Sequence, residues 1–353
     1  MPKLFRGLLI VCLASALSCI PAGLDAREEK PVEGSTLTFY QENDLYTGSD
    51  RDYTNGIKLT WISPDLAEYR EDPRLPSWSI PLIDALPFTD GNGYRKTISL
   101  SVGQDIYTPT DTKSTNGQDD DRPYAGISYL AVGFNSRNTR VMNAWEITLG
   151  IVGPHSYAEE MQKAVHEWTN SDYPMGWERQ IEDELLLNLS YERAWRFPGQ
   201  NRPRGLSYDV IPHAGCAVGN ALTALNLGGQ LRFGWNLPSD FGTFPIRAGT
   251  DSNAPIDRND PRCVQGPPRY GVHAFVAVDG YAVLWNVTLD GNFMRHSDSV
   301  DKKPFTARVS GGFGLVAGRF KITYALVTRT REYETQDKHQ SYGTLTISYT
   351  FRS

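Results

Sequence analysis

The chain has 353 residues, 35 lysines and arginines against 41 aspartates and glutamates, and a net charge of −6. That balance argues against a nucleic-acid binder, which carries a basic patch or stripe, and 40% hydrophobic residues argue against disorder by composition. Past the N-terminus no apolar run reaches the roughly 20 residues of a membrane helix. A helical membrane protein is thereby excluded, but a β-barrel is not, because its strands alternate and average out as polar.

In chain order, the first element is an address. Lys3 and Arg6 precede an almost wholly apolar stretch from Gly7 to Ile20, and Leu24-Asp25-Ala26 ends in a small residue where an A-x-A-like cleavage site needs one. Residues 1–26 read as a secretory signal peptide, and 27–353 as a single domain. A lipoprotein site at Ala16-Leu17-Ser18-Cys19 is the weaker alternative, with Ala16 where a bulky aliphatic residue is usual. Cys12 and Cys19 leave with the signal; Cys216 and Cys263 remain, and two cysteines in an exported chain suggest a disulfide.

Strands follow. Residues 35–42 place Leu37 and Phe39 on one face; residues 53–62 place Ile57, Leu59 and Trp61 on one face and Lys58 and Thr60 on the other. Residues 97–107, 123–134, 141–151, 184–196, 205–218, 222–235, 270–283, 305–316 and 319–330 alternate similarly between turn residues. The last segment, 341–351, sets Leu345, Ile347, Tyr349 and Phe351 against Thr344, Thr346, Ser348 and Thr350. Apolar-out, polar-in over about ten residues is the pattern of an outer-membrane barrel strand. Twelve such segments predict an all-β, 12-stranded antiparallel transmembrane β-barrel with both chain ends in the periplasm. Parity then puts 43–52, 108–122, 152–183, 219–221, 284–304 and 331–340 outside the cell. Segments 63–96 and 236–269 fall on the periplasmic side, both longer than periplasmic turns usually are. Parity also places Cys216 near the outer rim and Cys263 inside the envelope, too far apart to bond.

One segment is not a strand. Ser156-Tyr157-Ala158-Glu159 has the form of a capping box, and Tyr157, Met161, Val165 and Trp168 follow at helical spacing. The spacing predicts an amphipathic helix in an external loop, with Glu159, Gln162 and His166 on its other side. Gln162 and His166, four apart, point the same way.

There are six histidines and no H-E-x-x-H, G-x-S-x-G, Walker or dinucleotide motif. Four groups meet instead at one mouth of the barrel by parity alone. Asn43-Asp44 ends the first strand, and Tyr53-Thr54-Asn55-Gly56 begins the second. Lys113 lies in the next external loop, and Gln162 and His166 sit on the helix with Asp172 just beyond. Each has a plainer role: Asn43-Asp44 and Asn55-Gly56 as turns, Lys113 and His166 as solvated charges.

Glu42-Asn43-Asp44, Asp50-Arg51-Asp52-Tyr53-Thr54-Asn55-Gly56, Gln104-Asp105-Ile106-Tyr107-Thr108-Pro109 and Asp121-Arg122-Pro123-Tyr124-Ala125-Gly126 resemble, in order, the outer-membrane lipid A 3′-O-deacylase family. So do Gly150-Ile151-Val152-Gly153-Pro154, Gln162, His166, Tyr173-Pro174 and Trp177. The resemblance covers roughly residues 35–195. It implies a 12-stranded barrel that hydrolyses the ester-linked acyl chains at the 3′ position of lipid A, remodelling lipopolysaccharide with Ca²⁺, its active site at the external rim. Carried over by position, it implies catalytic roles for Asn43, Thr54, Lys113, Gln162 and His166, with His166 as general base. It implies Asp44 and Asp172 as carboxylates for the ion, a hard cation that prefers oxygen. Asp172 stands where the family has Glu, one residue short in its spacing to Tyr173-Pro174, and the Lys113 loop aligns with a one-residue shift. The expected partners are lipopolysaccharide and the outer membrane, with no nucleic acid and no obligate protein partner. The competing expectation is a non-enzymatic barrel, a pore or surface binding protein; a Ser–His outer-membrane phospholipase is disfavoured by the lack of a His-x-Ser-Asn-Gly-like segment.

Overall fold

The computed structural model describes residues 31–352 except 49–51, 90–92, 114–119, 170–172, 200–204, 250, 265 and 268. The expected signal peptide and Asp172 lie outside the described residues. The strands are β1 (Thr36–Asn43), β2 (Asp52–Ile62), β3 (Arg95–Thr108), β4 (Ala125–Arg137), β5 (Val141–Val152), β6 (Glu184–Trp195) and β7 (Phe197–Pro198). They continue as β8 (Leu206–Gly219), β9 (Leu222–Trp235), β10 (Tyr270–Asn286), β11 (Phe305–Ala317), β12 (Phe320–Arg329) and β13 (Gln340–Thr350). Sequence neighbours pair antiparallel, β1 pairs with β13, and β6 pairs with β8, so the sheet closes on itself. The two-residue β7 only attaches to β8, which leaves the twelve wall strands expected. Among the described residues three short α-helices accompany them: α1 (Ile80–Asp84), α2 (Ala158–Thr169) and α3 (Val287–Asp290). No helix among the described residues is long and apolar enough to cross a membrane.

Alternation decides what faces inward. On β13, Thr344, Thr346, Ser348 and Thr350 are buried, and hydroxyl pairs such as Thr38–Ser348 (3.1 Å) and Thr60–Ser101 (2.9 Å) line the inside. On β10, Val272, Val276 and Val278 are exposed while His273, Phe275, Ala277 and Asp279 are buried. The outer surface is thus apolar and the lumen polar, as a membrane barrel requires. The end where Thr36 meets Thr350 is called here the terminal end; the other is the far end.

The two long segments at the terminal end go to opposite sides of the wall. Residues 236–269 turn into the lumen as a plug. Ile246 N donates to Glu42 Oε1 (2.8 Å), Gly249 N to Glu146 Oε1 (3.2 Å), and Asn253 Nδ2 to the Tyr40 hydroxyl (2.7 Å). Arg247 pairs with Glu192 (2.7 Å) and Asp279 (3.2 Å). At the plug's root Asp240 takes Lys321 (2.6 Å), Arg232 (2.5 Å) and Arg262 (2.8 Å). Beyond the tip, a cavity of about 230 Å³ with Lys58, Glu146, Arg308 and Arg329 in its lining occupies the far half of the lumen.

Residues 63–94 instead cover the outside of β3–β6. Ile98, Phe134, Trp145 and Tyr191 lie on the outward faces of their strands, yet they are buried with Tyr69 and Ile83 in one cluster. Tyr69 donates to the Asn135 carbonyl (2.9 Å) and Trp145 Nε1 to the Pro87 carbonyl (2.9 Å). Arg137 ties the two segments together, pairing with Asp65 (3.0 Å) and donating to the carbonyls of Ala254 and Pro255. The disulfide suggested by cysteine count does not form: Cys216 in β8 and Cys263 at the plug root are free thiols, which agrees with the separation expected from parity.

Candidate functional site on the outer wall

The site begins with a register slip. Between Tyr53 and Asn55 the β2–β3 ladder shifts by one residue, after Asp52 at φ +65°. A bulge of this kind re-aims side chains. Tyr53 points inward, its hydroxyl donating to Glu42 (2.9 Å). Thr54 and Asn55 both turn outward: Thr54 Oγ1 lies 2.8 Å from Thr108 Oγ1, and Asn55 Oδ1 accepts from Asn43 Nδ2 at 3.3 Å. Thr108 shares its strand face with the exposed Leu100 and Val102, so this polar row is on the barrel's outside. Asn43 Oδ1 also accepts from Leu45 N (2.7 Å), starting the 3-10 turn Asp44–Thr47 that buries Asp44.

Helix α2 lies over the neighbouring stretch of wall. The Ser156 carbonyl accepts from Gln104 Nε2 (2.8 Å) and Ser128 Oγ (2.7 Å), while Ile106, Tyr124, Ala158 and Trp177 form one buried cluster. Gly126 permits the contact, since a Cβ there would overlap Ala158 Cβ and Ser156 Oγ. Two expectations are corrected. The capping box does not form: Ser156 belongs to a 3-10 turn, Tyr157 sits at φ +58°, the helix starts at Ala158, and Ser156 Oγ makes no hydrogen bond among the described residues. The plainer role of His166 as a solvated group does not hold either: Tyr157, Met161 and Trp168 are exposed, Trp168 to 87%, together with Glu160 and Glu167, whereas Gln162 and His166 are buried at 3% each. Lying on the outside of the wall, the helix presents its large apolar residues to the surroundings and this buried pair to the polar row beneath.

Gln162 is oriented by Trp177, whose Nε1 donates to Gln162 Oε1 at 2.8 Å. An indole N–H can only donate, so the amide oxygen must face it and Nε2 becomes the remaining donor. That Nε2 is buried and makes no hydrogen bond within the described residues. His166 is buried one turn further along the same helix. Register pairs Asn55 with Ile106, and Ile106 packs on Ala158, so the polar row and the underside of α2 share one patch of outer wall, not the lumen mouth. Lys113 is exposed in the loop after β3, its backbone N donating to Asp111 Oδ1 (3.0 Å). Missing from the residue-level expectation were the orienting role of Trp177 and the Thr108 partner of Thr54. Both stood in the motifs, but no one-dimensional spacing pairs them with their partners.

For a cation, no group of three His, Cys, Asp or Glu side chains gathers among the described residues. What the site does offer is a buried Asp44 carboxylate that follows Asn43 at the end of β1, with the buried Thr54 hydroxyl on the adjoining strand. An all-oxygen set with one carboxylate is the donor chemistry that suits a hard divalent cation rather than a soft one.

No curated protein matches the sequence. Among solved structures, the chain is similar to LpxR from Salmonella typhimurium, with 19% identity, 90% of this chain and 100% of that chain covered, and a TM-score of 0.66. It is also similar to the β domain of the Bordetella autotransporter BrkA, with 9% identity, 91% and 100% coverage, and a TM-score of 0.42. A family model described as "Outer membrane protein LpxR" matches residues 8–351. With nearly the whole chain matched, this protein belongs to the LpxR family of outer-membrane proteins.

Proposed function

We propose that this protein is an outer-membrane lipid A 3′-O-deacylase that hydrolyses 3′-linked acyl esters in the outer leaflet, with the far end of the barrel facing outside. One observation carries the proposal. Gln162 and His166 are buried on the wall side of a helix clamped to the barrel's outside, and that helix exposes Tyr157, Met161 and Trp168 alongside Glu160 and Glu167. Reactive groups so placed are reached from a lipid leaflet, and a substrate whose acyl chains already lie there needs no extraction into water.

In the proposed chemistry His166 takes a proton from water as the water oxygen attacks the ester carbonyl carbon. Gln162 Nε2–H donates to the developing oxyanion, with Trp177 holding the amide in the donating orientation. The carbon–oxygen bond to the sugar breaks, and His166 returns the proton to the sugar oxygen. The products are a free fatty acid and a free 3′ hydroxyl. Asp44, with Asn43 and Thr54, would hold a calcium ion, which supplies charge stabilisation at the ester carbonyl. Asp172 would add a second carboxylate, and Lys113 would meet a lipid A phosphate.

The pore alternative is disfavoured by the plug, which enters the lumen and is bonded to β1, β5, β6, β10 and β12. The test is mass spectrometry of lipid A from cells expressing the parent or His166→Ala. Loss of 3′-linked acyl mass with the parent alone, abolished by a chelator on the purified protein, is the expected result. Unaltered lipid A both in cells and with purified barrel plus Ca²⁺ in detergent would sink the proposal.

A further inference from the structure

The apolar belt around the barrel has uneven height. On β10 outward residues are exposed from Tyr270 to Val278. On β3 only Leu100 and Val102 are exposed in this way, because α2 and its preceding turn cover the far end and residues 63–94 cover the terminal end. Two outward positions span about 7 Å of strand, against a belt of about 25 Å in an outer-membrane barrel. The shortfall on the terminal side must be made up by whatever the covering segment shows to its surroundings.

Over residues 75–86 what it shows is mainly apolar, while Glu68, Arg70, Glu71 and Arg74 are exposed just before that stretch. Trp78 is 71% and Leu82 64% exposed, and Pro81 and Ala85 are exposed too. Counting from Trp78, these lie three, four and seven positions on, one side of α1, while Ile83 faces the wall cluster. The flanking acids are paired: Asp84 with Arg70 (3.3 Å), and Asp72 with Arg74. Arg74 also lies over the Trp61 ring at 4.4 Å. An exposed tryptophan in the same segment as arginines with apolar stems is the composition of a membrane–water interface.

We propose that the outer surface of residues 75–86 is immersed in the periplasmic leaflet, where phospholipid acyl chains and headgroups cover Trp78 and Leu82 and complete the belt below β3–β6. The partner is the phospholipid itself, because the patch continues the wall's own lipid-facing surface. The proposal rests on the barrel spanning a membrane and is independent of its chemistry.

The test uses the full mature chain in phosphatidylethanolamine–phosphatidylglycerol vesicles, with insertion checked by flotation. Trp78 emission is obtained by subtracting the Trp78→Phe spectrum from that of the parent. Acyl chains brominated near the headgroup are expected to quench it about twofold or more, as for interfacial tryptophans, with little quenching by aqueous iodide. A polarity-sensitive dye on Leu82→Cys, corrected for the parent labelled alike, gives the same readout without touching Trp78. Quenching by iodide but not by bromolipid would overturn the proposal. So would a dimer in the vesicles whose dissociation alone exposes Trp78, which would make a second copy the occupant. Failure of the parent itself to insert would instead overturn the barrel's membrane placement, on which both proposals stand.

Discussion

A single hydrogen bond decides what Gln162 can do. With Oε1 held by Trp177, the amide is pre-set as a donor, and removing one such donor from an oxyanion site typically costs about 10²–10³ in kcat. Gln162→Ala is expected to show a loss of that order in deacylation of purified lipid A. Trp177→Phe keeps the packing against Tyr124 and Ala158 but frees the amide to turn, so a smaller loss, about tenfold and in kcat rather than KM, is expected from steady-state assays. The members of this site were legible in the sequence to different degrees. Gln162 and His166 announced themselves by their four-residue spacing. Asn43 and Thr54 were marked by their places at strand ends. Their orientation was not legible, because a bulge at Thr54 and an indole 15 positions from Gln162 are set by tertiary contacts.

At the scale of elements, the strands could be read because each carries its own two-residue alternation, and their bounds differ from the structure by only a few residues. The facing of α2 could not be read the same way. Periodicity shows that two sides differ, not which one is covered, and on an outer wall the usual assignment is reversed. Gly126 is where that docking is most sensitive: Gly126→Val should lift the helix start from the wall. Activity is expected to fall at least about tenfold while the barrel keeps its heat-modifiable gel mobility. The plug was equally illegible, since residues 236–269 read as polar loop and their partners are distant, Ile246 meeting Glu42 across 204 positions. Burial alone would raise the Asp240 carboxyl, but Lys321, Arg232 and Arg262 prevail and hold it well below the usual carboxylate range. A depressed folded-state pKa means that its stabilisation is fully present above the ordinary carboxylate range and is lost only as pH falls through the lowered value. Planar-bilayer recordings of the parent should therefore stay silent from neutral pH down to about 4. Asp240→Asn leaves the buried Lys321 without its carboxylate, while Arg232 keeps Asp209 and Arg262 keeps Asp260; breaking a buried pair costs about 3–5 kcal/mol, and the variant is expected to show channel openings at neutral pH.

For the molecule as a whole, the thiols test the layout. Burial, with Asp260 next, pushes the Cys263 thiol up to about 12. Little thiolate exists near neutral pH, so Cys263 should alkylate slowly at pH 8 and faster as pH rises, and reduction should leave the mass of the intact chain unchanged. The plug has a consequence for assembly as well. Its partners sit around the ring: Tyr40 and Glu42 on β1, Glu146 and Glu192 on β5 and β6, Asp279 on β10 and Lys321 on β12. Joining β1 to β13 brings together Thr38 and Ser348, 310 positions apart, a closure with a large entropic cost. The plug holds β1 on one side of that seam and β12, one strand in from it, on the other. Contacts shared in this way between the plug and strands all round the ring couple the two, so the seated plug and the zipped seam are expected to be lost together on unfolding.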